Sequence, residues 1–247
     1  MPKIYLSPST QEWNQYITQS GSEELQMNLL ADALEPYLRS CAIVFVRNKP
    51  EMTAASSIRQ SNAIGGFDLH LALHSNAAGE GSEGTQRGII AFYYPTSRNG
   101  ERAAQTICDE LRKVYPLPDK VTTRATTTLG EVRQPRAPSV LLEIGYHDNY
   151  ADAQWVETHR PAAAQAIAMG LTDYFGIPFI YPTAEQTGVV TTSGGALLLR
   201  TYPSATATVA ARIPNGASVS VYGAWEGWYV VHYGGAVGYA AAAYISL

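Results

Sequence analysis

A glutamate lies inside a segment that otherwise has the pattern of a buried β-strand. Residues 138–146 read PSVLLEIGY, and Glu143 is the one charged residue among them. A nearly continuous aliphatic run of this length is typical of a parallel strand that is covered on both faces. An unpaired carboxylate there would cost several kcal/mol, so it is expected to be paired, protonated or close to a metal. The segment therefore predicts a buried sheet with a functional carboxylate at Glu143.

Two other residues that can bind metals have a similar position in the predicted fold. Residues 68–76 read DLHLALHSN and place His74 at the end of a second strand. Glu24 lies in the first turn of the helix predicted after the first strand. In an open α/β sheet, the carboxyl ends of the strands and the starts of the following helices share one edge, where active sites gather. We therefore expect Glu24, His74 and Glu143 to meet at this edge.

Strand-like and helix-like segments alternate from residue 3 to residue 176. This alternation predicts an α/β fold, with a mostly parallel sheet and helices on both of its faces. The predicted strands are 3–6, 41–47, 68–74, 88–94 and 139–145. The predicted helices begin with the apolar repeat of residues 25–38 and continue with 53–63, 98–114 and 151–175.

The pattern changes after Phe175. Residues 177–187 begin with a segment that contains two prolines, which favours a linker over a regular helix. From residue 188 to residue 247, short β-branched and aromatic runs alternate with glycine-containing turns, which predicts a small antiparallel barrel. The chain is thus expected to have a domain at 1–176, a linker at 177–187 and a second domain at 188–247.

Composition limits the classes of partner and the location. The chain has 247 residues and a formal net charge of −4, so electrostatics give no reason to expect nucleic acid as a partner. The sequence contains no run of about 18 apolar residues, so no membrane span is predicted. The first residues enter a strand directly and lack the apolar region of a signal peptide. An extracellular location would then need a non-classical export route, release by lysis, or a leader outside this sequence.

The two cysteines, Cys41 and Cys108, are expected to be structural.

Three motifs make residues 3–176 resemble the zinc-dependent N-acetylmuramoyl-L-alanine amidases of bacterial autolysins, spore-cortex enzymes and phage endolysins. They are Glu24 followed by Asn28 and Leu29, the LHSN sequence of residues 73–76, and the PSVLLEIGY sequence of residues 138–146. The resemblance implies that Glu24 and His74 are ligands of Zn²⁺ and that Glu143 is catalytic.

The chain departs from this family at the first metal ligand. The family's first strand runs into a D-P-G-H-G motif, whereas residues 6–11 here read LSPSTQ and contain no histidine. Gln11 is predicted to supply a carbonyl oxygen as the third ligand, although an amide is a weaker zinc ligand than imidazole. His70 lies about 13 Å behind His74 along an extended strand, too far to substitute. His147 is the alternative candidate.

Residues 188–247 resemble the bacterial SH3-like domains that are often fused to cell-wall hydrolases. The resemblance depends on four short sequences: LLLR at 197–200, IPNGA at 213–217, GWYVV at 227–231 and GYA at 238–240. It implies attachment to peptidoglycan, and with it a location in the cell wall.

Together these features predict a two-domain peptidoglycan amidase. It would cleave the amide between the lactyl group of N-acetylmuramic acid and L-alanine of the stem peptide. Zinc would polarise the carbonyl and lower the pKa of bound water towards about 7, and Glu143 would act as general base and then general acid. One alternative is a non-catalytic wall-binding protein that lost its metal with the missing histidine, and another is a metal hydrolase of this fold that acts on a different amide.

Overall fold

The chain divides into two compact units. The computed structural model describes all residues from Met1 to Leu247. The first unit comprises Lys3–Leu34 and Phe45–Tyr174, and the second comprises Met1–Pro2, Glu35–Val44 and Phe175–Leu247. Residues 35–44, which the sequence places in the first domain, therefore pack within the second unit.

A six-stranded sheet forms the centre of the first unit. Its strands lie in the order β2-β1-β3-β6-β4-β5. Their bounds are Lys3–Pro8 (β1), Val44–Arg47 (β2), Leu69–Asn76 (β3), Ile89–Tyr93 (β4), Val121–Ala125 (β5) and Ser139–Tyr146 (β6). The pairs β1–β3, β3–β6 and β4–β5 are parallel, whereas β4 runs antiparallel to β6. The predicted α/β class with a mostly parallel sheet is confirmed, and the antiparallel pair makes the sheet mixed.

Six α-helices accompany the two sheets, and they differ from the predicted helices at one main point. Their bounds are Glu23–Ser40 (α1), Ala54–Ile64 (α2), Arg98–Leu111 (α3), Gly130–Arg133 (α4), Tyr150–Thr158 (α5) and Arg160–Phe175 (α6). The single helix predicted over 151–175 is two helices, separated at His159. The reason is Pro161, which has no N–H and whose ring would crowd the carbonyl four residues earlier in a continuous helix. Short 3₁₀ turns occupy Pro118–Lys120 and Ala242–Tyr244.

The pairing of β3 with β6 sets the position of the predicted site. Seven of the eight residues of β3 are buried, as the aliphatic pattern predicts. In the parallel register, His74 lies opposite Glu143, next to the pair Leu73 and Leu142. Because side chains alternate between the faces of a sheet, aligned residues of neighbouring strands point to the same face. His74 and Glu143 therefore share one face near the carboxyl ends of their strands.

Helix α1 begins at the same edge. Its first turn contains Glu23 and Glu24, where acidic side chains are favoured by the helix dipole. The Ser22 hydroxyl accepts a hydrogen bond from the backbone N–H of Leu25 at 3.3 Å and caps the helix. The N–H of Glu23 donates to the carbonyl of Asn14 at 2.8 Å, which ties the helix start to the loop after β1.

The second unit contains a seven-stranded antiparallel sheet with the order β13-β7-β10-β11-β12-β8-β9. Its strands are Gln186–Val190 (β7), Leu197–Arg200 (β8), Val209–Ile213 (β9), Ser218–Trp225 (β10), Trp228–Tyr233 (β11), Ala236–Ala241 (β12) and Ile245–Ser246 (β13). The β10–β11 hairpin turns through Glu226 and Gly227, which both have positive φ, as a two-residue hairpin loop requires. The predicted all-β fold of this region is confirmed.

Residues near the end of α1 pack inside the second unit. The hydroxyl of Ser40 donates to the carbonyl of Ile180 at 2.6 Å, and the side chain of Ile180 is buried. A Cβ at Gly223 would come within 2.8 Å of Cγ2 of Ile180, so glycine permits this close approach. Cys41 and Cys108 are both buried and free, in keeping with structural roles. Part of the predicted linker is thus a packed segment.

Helices α3 and α6 cross at Gly170. A Cβ built on Gly170 would lie 2.5 Å from the Cα of Ile107 and 2.8 Å from the carbonyl oxygen of Thr106. Both are backbone atoms, so a side chain can be accommodated only if the helices separate.

We predict that Gly170→Ala lowers the free energy of unfolding by about 1–3 kcal/mol, because overpacking outweighs the better helix propensity of alanine. Gly79→Ala is the control, since a Cβ there meets no atom within 4 Å, and it should change stability by less than about 0.5 kcal/mol. Denaturant unfolding measures both variants. A Gly170→Ala protein as stable as the parent would contradict the close crossing.

Candidate active site

A pocket of about 570 Å³ opens at the carboxyl edge of the first sheet. The loop after β1 and the residues that lead into α2 form its walls. Three residues that the sequence predicts as metal ligands, Gln11, Glu24 and His74, line it, as does Thr10. The three predicted metal ligands thus line one pocket, which Glu143 does not line, and their contacts differ from the expected set.

His74 lies between two carboxylates. Its Nδ1 is 2.8 Å from Oε1 of Glu23, and its Nε2 is 3.1 Å from Oε2 of Glu131. Burial lowers the pKa of His74, but the hydrogen bonds and negative charges of Glu131 and Glu23 raise it well above its usual value. Both ring nitrogens can donate at the same time only when the imidazole carries two protons. In the absence of a metal, both contacts are satisfied when His74 is an imidazolium between two carboxylates.

Glu23, rather than Glu24, is the acid that contacts His74. Glu23 is fully buried, and its Oε2 accepts a hydrogen bond from Nδ2 of Asn14 at 2.7 Å. Burial raises the pKa of Glu23, but the hydrogen bond and charge of His74 bring it below its usual value. Glu24 is half-buried, and burial together with the charges of Glu12 and Glu51 raises its pKa.

This one-residue difference follows from helix geometry. Successive residues of an α-helix are rotated by about 100°, so Glu23 and Glu24 cannot face the same point. The motif residue Asn28 contacts the backbone of Glu24, since its Nδ2 donates to the carbonyl of Glu24 at 2.8 Å. The backbone bond from Glu23 to Asn14 sets which acid faces inward, and a sequence motif does not contain that information.

Gln11 lies beside the same pair of atoms. Its Nε2 is 3.3 Å from Nδ1 of His74 and 3.5 Å from Oε1 of Glu23, while its Oε1 accepts from Asn14 at 3.1 Å. The amide therefore presents its N–H₂ group to the pocket side of His74. To offer the predicted carbonyl ligand, the amide must turn over.

Glu131 is a site residue that the sequence does not reveal. It lies in the four-residue helix α4 and is almost completely buried. Its Oε1 accepts from the hydroxyl of Ser7 at 2.6 Å and lies 3.2 Å from Nε2 of His70. Burial raises the pKa of Glu131, but the hydrogen bonds from His70 and His74 lower it to about 2. Glu131 thus joins His70 to His74, although His70 is too distant to reach the pocket itself.

Glu143 has the features of a group that exchanges protons near neutral pH. Its Oε2 is buried and has no hydrogen-bond partner within the protein. Burial raises the pKa of Glu143 to about 7; the positive charge of His74 opposes this shift and the negative charge of Glu23 adds to it. A carboxyl group with such a pKa can act as a general base or a general acid.

His147, the alternative third ligand, makes contacts elsewhere. Its Nδ1 donates to the backbone carbonyl of Ser75 at 3.0 Å, and its ring stacks on Tyr16 with the centroids 5.8 Å apart. These contacts hold His147 against the end of β3 and leave the pocket side of His74 to Glu23 and Gln11.

The donor set on the pocket side determines whether a metal fits. No group of three or more His, Cys, Asp or Glu side chains is arranged to hold a metal ion. Nδ1 of His74 and Oε1 of Glu23 are 2.8 Å apart, and both bear lone pairs when Nε2 carries the ring proton. At 2.8 Å the two atoms share a proton in a hydrogen bond, and a zinc ion bound to both at about 2.0–2.2 Å in tetrahedral geometry would require them to move apart. His74 and Glu23 offer an imidazole and a carboxylate that suit a divalent metal such as zinc. The Gln11 amide offers its oxygen only after it turns over, so the set is weaker than one with a second imidazole.

The family comparison agrees with the fold. Residues 14–173 match the model of the N-acetylmuramoyl-L-alanine amidase family, and residues 195–246 match that of the bacterial SH3 domain. The first match covers more than half of the chain. The chain belongs to the N-acetylmuramoyl-L-alanine amidase family and contains a bacterial SH3 domain.

Curated relatives of this chain include cell wall amidases. An uncharacterized cell wall amidase of Bacillus anthracis is 28% identical over 116 residues, which are 44% of this chain and 21% of that protein. The probable cell wall amidase LytH of Staphylococcus epidermidis is 27% identical over 110 residues, which are 44% of this chain and 35% of that protein. The chain thus matches only about a fifth to a third of the length of these relatives.

Solved structures of amidases share the fold. The CwlD amidase from Clostridioides difficile, solved in complex with the GerS lipoprotein, has 18% identity and a TM-score of 0.60, with 71% of this chain and 99% of that chain covered. The catalytic domain of CwlV from Bacillus (Paenibacillus) polymyxa has 16% identity and a TM-score of 0.61, with 72% and 100% covered. None of the helices in this structure has the length and hydropathy needed to span a membrane.

Proposed function

We propose that this protein is a peptidoglycan amidase that cleaves the amide between N-acetylmuramic acid and L-alanine of the stem peptide. Family membership supports the reaction class. The single observation that carries the proposal is Glu143, a partly buried glutamate on the strand next to His74, whose buried Oε2 has no partner and whose pKa is raised to about 7.

Glu143 would move the protons of this hydrolysis. As a carboxylate it would accept a proton from the attacking water, and it would then deliver that proton to the nitrogen of the departing L-alanine. A pKa near the working pH suits both steps, because the group must be a competent base first and a competent acid afterwards.

Zinc is the metal proposed for this site. His74 and Glu23 would hold it, and the Gln11 amide oxygen would be the third protein ligand. Glu24, which the sequence motif favours, is the alternative to Glu23. When bound, the metal would polarise the scissile carbonyl and acidify a water molecule. The side chain of Asn14 would orient Glu23 through the hydrogen bond that it already makes.

A second candidate is a wall-binding protein without activity. It is favoured by the contacts of Glu23 and Glu131 with the two ring nitrogens of His74. A doubly protonated imidazole satisfies both carboxylates without a metal ion. In that case the protein would bind peptidoglycan without releasing stem peptides.

Our test of the amidase proposal uses Glu143→Gln. Purified sacculi are incubated with zinc-loaded protein, and the release of new L-alanine amino groups is measured. The parent should release them, and the variant should be slower by about 10²–10⁴-fold, because the amide keeps the shape but cannot carry the proton. Glu110→Gln, which changes a buried glutamate of α3 that pairs with Lys113, is the matched control and should stay active.

The two candidates give different results in this assay. If the zinc-loaded parent binds sacculi but releases no amino groups, the amidase proposal is wrong and the wall-binding function remains. If Glu143→Gln retains full activity, Glu143 is not the proton carrier.

The metal proposal predicts different effects for the two acids at the start of α1. Glu23→Gln should weaken zinc binding strongly, because it removes the carboxylate 2.8 Å from Nδ1 of His74. Glu24→Gln should change the affinity little, because Glu24 lines the pocket without a contact to His74 in this structure. Competition with a chromogenic chelator measures both affinities. A larger loss for Glu24→Gln would return the ligand role to Glu24.

The bacterial SH3 domain is proposed to attach the protein to peptidoglycan, which would place its action in the cell wall. A groove of about 320 Å³ on the second unit offers a binding surface. Trp228, Tyr244, Leu198 and Arg200 are among the residues that line it, and Tyr244 is 49% exposed. Aromatic side chains of this kind contribute strongly to binding when a ligand covers them.

We predict that Tyr244→Ala weakens the binding of the full-length protein to sacculi by about fivefold or more, the effect of losing one buried aromatic contact. Turnover of a soluble muropeptide should be unchanged. Tyr202→Ala removes a tyrosine of similar exposure that does not line the groove, and it should bind like the parent. Equal sedimentation of all three proteins with sacculi would contradict a role for the groove.

A further inference from the structure

Glu131 is a buried anion without a part in the proposed proton transfers. It is 5% exposed and does not line the pocket. It lies beside Nε2 of His74, whereas Gln11, which lines the pocket, lies beside Nδ1. Burying a charge in this way costs several kcal/mol unless hydrogen bonds compensate for it. The hydrogen-bond partners of Glu131 therefore indicate why a charge is buried at this position.

Three donors hold the carboxylate of Glu131 in one orientation. The hydroxyl of Ser7 is 2.6 Å from Oε1, and Nε2 of His70 is 3.2 Å from the same oxygen. His70 is held in turn, since its Nδ1 is 3.1 Å from the hydroxyl of Ser61. With Oε1 occupied by two partners, Oε2 is directed to Nε2 of His74 at 3.1 Å.

This arrangement selects the nitrogen of His74 that faces the pocket. A carboxylate can only accept hydrogen bonds, so the contact with Oε2 requires a proton on Nε2 of His74. Nδ1 is then the nitrogen that faces Glu23 and Gln11, at 2.8 Å and 3.3 Å. A histidine that binds a metal through one nitrogen usually gives its other N–H to such an acceptor, which fixes the ring and its tautomer.

We propose that Glu131, held by Ser7 and His70, is a positioning residue that keeps the proton of His74 on Nε2 and presents Nδ1 to a divalent cation in the pocket. The inference rests on the proposed function only for the presence of that cation. It assigns a role to a residue on a four-residue helix that no family motif in this sequence includes.

The test compares Glu131→Leu with Glu131→Gln in the full-length protein. Leucine removes the acceptor, so zinc affinity should fall by about 10–100-fold. Glutamine retains one neutral acceptor oxygen and should recover part of this loss. Glu110→Gln, a buried glutamate outside the site, should bind zinc like the parent. Affinities are measured by chelator competition, without substrate.

A second measurement reports the orientation directly. In the zinc-loaded parent, ¹⁵N NMR of His74 should show a protonated Nε2 and a metal-bound Nδ1. In Glu131→Leu this single pattern should be lost, with signals from binding through either nitrogen. A purely structural residue would lower the thermal stability and leave the pattern intact.

Ser7→Ala provides an independent variant if Glu131→Leu does not fold. It removes one donor to Oε1 without changing the charge of Glu131, so a smaller, several-fold loss of zinc affinity is expected. Unchanged affinity and an unchanged His74 pattern in every folded variant would overturn the proposal. These readouts need no hydrolysis, so a parent that binds zinc but is inactive would refute the amidase function and leave this inference standing.

Discussion

The contact of His74 with two carboxylates is the interaction on which the rest of the site depends. Glu23 and Glu131 are both buried, and each would be an uncompensated charge without the imidazolium between them. Removing one partner of a buried charge network typically costs about 3–5 kcal/mol, so the three residues act as a unit. The unit joins the start of α1, the end of β3 and the short helix α4, three segments that are distant in the sequence.

Burial, rather than a contact with this cluster, keeps the pKa of Glu143 above those of the two acids that contact His74. The two carboxylates that contact His74 have pKa values below the usual range because the imidazolium stabilises their charges. Glu143 has no such partner for its Oε2, and burial raises its pKa to about 7. Acids in different surroundings thus divide into permanent anions and a proton carrier, a division that general acid–base catalysis requires.

The sequence predicts the parts of the fold and site that depend on local patterns, but not those that depend on contacts between residues distant in the sequence. The aliphatic runs around His74 and Glu143 predict their strands, whereas the parallel register that aligns the two residues is seen only in the structure. The strand Val121–Ala125 lies at the edge of the sheet and is largely polar, so it lacks the aliphatic signal. Glu131 is found only through contacts across 57 and 124 residues of sequence, with His74 and Ser7. No local pattern contains such contacts.

The missing histidine changes the balance between the two cations that can occupy the site. Without a metal, the proton on Nδ1 of His74 is stabilised by Glu23, and the pKa of His74 is raised well above its usual value. A zinc ion that binds at Nδ1 must displace this proton, and part of its binding free energy is spent on doing so. In a site with a second imidazole, the additional ligand would offset that cost. Here the proposed third donor is the Gln11 amide, so the proposed contribution of Glu131 to the orientation of His74 would be more important for metal affinity than in a stronger site.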